Sequence, residues 1–191
     1  SMDTAGNFYY TETMSYFTDF VTLYGGVFAD GAVSGAHPIG QHLTRHTEGI
    51  LDMDSQVSAD GNTLYFARAT FPNWTGSPPS ESDLIVANRI DGVFFVAENS
   101  EFIMQHINTG ALEYAAATSN NDLELYFTRM DVQAGTGFQT FVAQRASKTD
   151  PFGAPQLITQ ISGYSEAPTI TGDGNRLYFH KEAGGVLQIY S

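Results

Sequence analysis

Residues 58–66 read "SADGNTLYF": a polar Asp60-Gly61-Asn62 turn runs straight into an alternating aliphatic and aromatic segment. Asp-Gly pairs supply the positive-φ geometry of a tight hairpin, and alternation with period two suits a half-buried strand. The segment is one of a set. "SADGNTLYFAR" (58–68) returns as "SNNDLELYFTR" (119–129) and as "TGDGNRLYFHK" (171–181), with a weaker copy, "DTAGNFYYTE", at 3–12. Their central tyrosines are Tyr9, Tyr65, Tyr126 and Tyr178, a period of about 50–60 residues. The turn in the 119–129 copy is degenerate, with Asn121-Asp122 in place of Asp-Gly.

The rest of each period recurs as well. A second apolar strand follows at "DFVTLY" (19–24), "DLIVANR" (83–89), "QTFVAQR" (139–145) and "LQIYS" (187–191). A third piece comes next at "GAHPIG" (35–40), "VAENSEFI" (96–103) and "FGAPQLI" (152–158). Before each strong turn stands one more short segment: "LDMDSQVS", "LEYAAATS" or "SEAPTITG". Four short strands in a repeat of this length are the signature of a propeller blade. The expected fold is all-β, a single β-propeller over 1–191 built from about four four-stranded antiparallel blades, at roughly 3–40, 50–104, 112–159 and 165–191. The first unit starts at its a–b turn and lacks strand a; the last stops on strand c and lacks strand d. Such ends leave strand edges unpaired, so the chain is expected either to self-associate as a homo-oligomer or to be a piece of a longer propeller.

These residues resemble the WD40-like repeat of TolB-type propellers, "SEAPTITGDGNRLYFHKEAGGVLQIYS" (165–191) most of all, with "DPFGAPQLI" (150–158) similar to the connector between such blades. The resemblance implies an exported bacterial protein, periplasmic or secreted, acting as a binding scaffold. It implies no catalytic residue. TolB-type propellers usually have six blades, whereas this sequence supplies about four.

Composition narrows the partners. Acidic residues outnumber Lys and Arg by 21 to 8, for a formal charge of −13; such a surface repels nucleic acid and anionic lipid. The absence of cysteine excludes disulfides, thiolate metal sites and a cysteine nucleophile. No apolar run approaches the roughly 20 residues of a membrane helix, so membrane insertion is not expected. Ser1-Met2 reads as an expression-vector remnant, with a natural leader removed.

Repeat-equivalent positions cluster around a propeller's axis, which selects site candidates. Asp52, Asp54, Glu113 and Glu166 stand where strand a enters the ring; they could bind a calcium ion or a basic ligand, or cap strand ends. Arg68, Arg129 and Lys181 follow the aromatic core, and Arg89 and Arg145 end strand c. They form either an anion-binding rim or a set of ion pairs with the acids. His180 breaks the repeat where Ala67 and Thr128 stand elsewhere. Trp74, in the long "TFPNWTGSPPSES" loop (70–82), could stack on a sugar or a partner's proline, or fold back on its own blade. His42 and His46 have the i,i+4 spacing of zinc ligands, but Pro38 and Gly40 disfavour a helix through His37. The Asp-Gly-Asn turns lack the further ligands of an EF-hand, and neither a phosphate loop nor a Gly-x-Ser-x-Gly elbow is present. No cofactor is implied beyond the calcium option.

The sequence therefore supports a non-catalytic module that binds a protein, peptide or glycan. The alternative is a glycan hydrolase or lyase using the carboxylates at the channel mouth.

Overall fold

A computed structural model of the chain describes residues 1–12, 23–43, 49–72, 78–161 and 163–191. The strands fall into four antiparallel groups in chain order. The first holds β1 (Asn7–Thr11), β2 (Leu23–Ala29) and β3 (Ala32–Pro38). The second holds β4 (Ile50–Val57), β5 (Thr63–Thr70), β6 (Glu81–Ile90) and β7 (Val93–Val96). The third holds β8 (Leu112–Thr118), β9 (Glu124–Met130), β10 (Gln139–Gln144) and β11 (Gln156–Leu157). The fourth holds β12 (Ser165–Ile170), β13 (Leu177–Ala183) and β14 (Val186–Tyr190). A single parallel bridge, Ser82 to Leu112, joins the second and third groups into one eight-stranded sheet. Among the described residues no sheet closes on itself.

The repeated "LYF" sits on the second strand of each full group, and alternation sends its side chains to opposite faces. Leu64 and Phe66 enter one core with Tyr9 and Leu23 of the first group. Tyr65 and Ala67 enter another with Leu125 and Phe127 of the third. All four β5 side chains are fully buried, each large one stabilising the stack by roughly 1.5–3 kcal/mol. The groups therefore stack face to face. The strand opening each group packs on the group before it: β4 on β1, β8 on β5 and β6, β12 on β9.

Among the described residues the first and fourth groups have three strands each, and an isolated bridge joins Met2 to Phe8. The outer strands differ from expectation. In the second group β7 is "VFFV", ahead of the segment read from sequence, and 100–103 form a short helix instead. Phe94 there reaches the core, whereas Glu98 and Glu101 are exposed. Residues 35–40 likewise overlap only the end of β3 before a 3-10 turn at Gly40–His42.

Candidate functional site

The opening strands β4, β8 and β12 each carry a bulge, between Met53 and Gln56, Tyr114 and Ala117, and Glu166 and Thr169. At each bulge a non-glycine residue adopts a left-handed φ: Asp54 at 55°, Ala115 at 51° and Ala167 at 53°. Bulges of this kind turn a backbone N–H out of the ladder and re-aim side chains. The freed N–H groups are tied to the preceding sheet. Asp54 donates to Thr11 Oγ1 at 3.2 Å, and Ala167 donates to Thr128 Oγ1 at 3.0 Å. Between them the threonine position is Ala67, and the Ala115 N–H is taken by the Asp54 carboxylate instead.

These bulges line one groove of about 370 Å³, whose walls include Asp54, Ser55, Ala115, Ala167 and Thr169. Burial pushes the Asp54 carboxyl above its ordinary range, and the nearby Glu166 charge pushes it further, against the Ala115 N–H. Asp54 is in the second group and Glu166 in the fourth, so the stacking brings together carboxylates far apart in the chain. Glu166 Oε2 accepts from the Tyr114 hydroxyl at 2.7 Å. Burial and that hydrogen bond raise the Tyr114 pKa. Tyr114 in turn packs edge-on against Phe138, which lies 4.2 Å from Tyr164 by ring centroids. Asp54 is thus the acid that lines the groove, while Glu166, held by Tyr114, acts on its charge from nearby. Ser55 Oγ is buried there without a partner among the described residues.

The other candidates lie elsewhere. Asp52 is bridged to Arg68 at 2.8 Å, and Glu113 to Arg129 at 2.7 Å, with both carboxylates fully buried. Each arginine also donates to a carbonyl of the segment leading into its group, Leu43 or Ile107, at 2.6 Å. These pairs pin the opening strand to the next one. The register does not place Glu166 in line with them: Ser165 faces Lys181 across the sheet, and Glu166 faces His180. Ser165 Oγ is buried and unpartnered among the described residues. His180 is exposed on β13. His42 stacks on Phe95 at 5.0 Å, and His37 Nδ1 lies 2.9 Å from the Gly35 carbonyl. Trp74 and His46 lie outside the described residues.

One network was not anticipated. Asp122 takes the turn position that Gly61 holds in the second group, at φ 64° against Gly61's 74°. Its Oδ2 pairs with Arg145 Nη2 and accepts from the Tyr65 hydroxyl, both at 3.1 Å. Arg145 also donates to that hydroxyl at 2.8 Å and lies 4.3 Å over Phe152. The degenerate turn was the visible signal. Burial raises the Asp122 pKa, opposed by Arg145.

Neither a protein-family profile nor a curated protein sequence matches the chain. Solved structures do. TolB from Acinetobacter baumannii aligns with 98% of the chain at 15% identity and a TM-score of 0.58. A luciferin-regenerating enzyme aligns with 91% at 12% identity and 0.51, and a Mycobacterium tuberculosis puromycin-hydrolyzing peptidase with 96% at 13% identity and 0.52. The chain spans 39%, 54% and 30% of those proteins respectively. At such identities the likeness concerns the fold alone, and it supports a β-propeller fold.

Proposed function

We propose that this chain is a non-catalytic binding module: four consecutive blades of a propeller with WD40-like repeats, whose axial groove receives a cationic group of a protein, peptide or glycan. The observation that carries the reading is Asp54, which lines a groove walled by three equivalent bulges and lies within electrostatic reach of Glu166. Cation binding there competes with protonation of Asp54, so it tightens as pH rises through the raised Asp54 value. The reading favours a lysine- or arginine-bearing ligand over calcium, since among the described residues no three His, Asp or Glu side chains gather as metal ligands would. Export to the periplasm or beyond follows from the family resemblance; no described helix is long and apolar enough to cross a membrane. The sheets at the two ends of the stack also offer edges through which a second copy could pair.

A glycan-hydrolase reading draws on one feature, an Asp54 carboxyl pushed up beside a second carboxylate, which is how an acid and a base are set apart. Titration with ethylammonium, arginine methyl ester and calcium, followed by amide chemical shifts, tests the binding reading. Shifts centred on Asp54 and Ala115 that vanish in Asp54→Asn and Glu166→Gln support it. Glycan turnover lost in the same variants would transfer the site to the enzyme reading, and no response to any cation would refute the proposal.

A further inference from the structure

The junction between the first and second groups is the repeat-equivalent of the junction that holds Tyr65, Asp122 and Arg145. Tyr9 opposes Gly25 on β1 and β2 as Tyr65 opposes Val86 on β5 and β6. Arg89 and Arg145 match as well: the N–H of each bonds to the carbonyl of the preceding turn, Asn62 or Leu123. Each guanidinium donates to the carbonyl three residues on, Gly92 or Lys148, and lies over an aromatic ring, Phe94 or Phe152.

The two junctions differ in their acids. Asp122 neutralises Arg145 in the later one, and its position in the earlier one is Gly61. Arg89 has no ion pair among the described residues. Asp3, an acid of this junction, is committed to its own turn, accepting from the N–H groups of Ala5 and Asn7 and from the Asn7 amide. Its Oδ2 lies 2.6 Å from where a Cβ on Gly61 would stand, so its carboxylate occupies the space that a side chain there would need. No hydrogen bond engages the Tyr9 hydroxyl among the described residues, whereas the equivalent Tyr65 hydroxyl makes two. A cavity of about 160 Å³ opens between Tyr9 and Arg89, walled by Val27, Ile39, Val93 and Phe94.

We propose that this cavity is a binding site for a carboxylate on a short apolar stem, held between Arg89 and Tyr9. Arg89 supplies the charge-assisted donors, Tyr9 a neutral one, and the aliphatic walls hold the stem. Of the expected anion-binding rim, Arg68, Arg129 and Arg145 are all satisfied internally, and Arg89 is the arginine with donors to spare. The site is separate from the axial groove and does not depend on the function proposed for it.

The test is amide chemical-shift titration of the whole chain with two carboxylates, butyrate as a free acid and N-acetyl-leucine as a peptide terminus. Butyramide and N-acetyl-leucinamide are the neutral controls. Saturable shifts at Tyr9, Arg89 and Val93 with the acids alone are expected, and the tighter acid identifies the source. Arg89→Gln should weaken binding by about tenfold or more, and Tyr9→Phe by a smaller factor. Arg89 is only partly buried, so the unliganded melting temperature serves to confirm that both variants fold. Equal response to the amides, unchanged affinity in Arg89→Gln, or sulfate displacing butyrate more tightly at the same residues would each overturn the assignment.

Discussion

Asp122 shows how one substitution in a repeat rewires a junction. A turn that elsewhere uses glycine here places a carboxylate between Tyr65 and Arg145, at the cost of a left-handed φ on a side-chain-bearing residue. Removing one member of a buried pair strands the other charge. Asp122→Gly is therefore expected to destabilise the chain by about 3–5 kcal/mol in urea unfolding, although it restores the repeat's own residue. The double variant Asp122→Gly with Arg145→Met should recover most of that loss, since an apolar pair in place of a buried ion pair is often neutral or better. If the single variant unfolds at the wild-type midpoint, the network contributes nothing to the junction. Gly61 illustrates the converse: with no side chain there, Arg89 has no ion pair among the described residues, and Asp3 Oδ2 stands where a Gly61 side chain would.

At the scale of elements, the bulges on β4, β8 and β12 join sheet to sheet and aim Asp54 into the groove. Thr128→Val keeps the shape of the side chain and removes the acceptor for the Ala167 N–H, which should cost about 1–3 kcal/mol. Ala115→Gly should run against the usual trend for strands. It relieves a left-handed alanine, so the melting temperature should hold or rise rather than fall. A marked loss of stability in Ala115→Gly would show that the bulge geometry is wrong. The strands themselves were legible in the sequence because alternation and turn chemistry are local. Register was legible too: counting back through the hairpin from Lys181 reaches Ser165, as counting from Arg68 and Arg129 reaches Asp52 and Glu113. Aligning the acids by residue type instead put Glu166 in their row. The outer strands were hard to place because β7 and β11 are short edge strands that bury little, so their sequence is weakly constrained. Asp54 with Glu166 was legible only as candidates, since what joins them is the stacking of sheets two periods apart.

Across the whole molecule, each internal sheet buries both faces, and the end sheets bury one. On the fourth, Tyr178, Leu187 and Ile189 are exposed at 37, 48 and 71%, although Tyr65, at the position of Tyr178, is fully buried. On the first, Phe8 stacks with Tyr10 and Tyr10 with Tyr24 on the face turned away from the second group. Two such faces suit packing against further sheets of the same kind. Light scattering should show the chain associating as its concentration rises, and Leu187→Lys with Ile189→Lys should shift it toward monomer. A wild-type chain that stays monomeric throughout would remove self-association from the account.

The arrangement as a whole comes down to whether the second and fourth groups meet around one groove. Carbon-detected titration of the Asp54 carboxyl, in the wild type and in Glu166→Gln, reads this directly. The folded pKa is expected above the ordinary aspartate value of about 3.9, so the proton on Asp54 favours folding below that value and the contribution is lost as pH rises through the raised one. Glu166→Gln should bring the pKa part of the way down, leaving the share due to burial. An Asp54 that titrates at its ordinary value, unmoved by Glu166→Gln, would mean that the two sheets do not converge and that the groove does not exist.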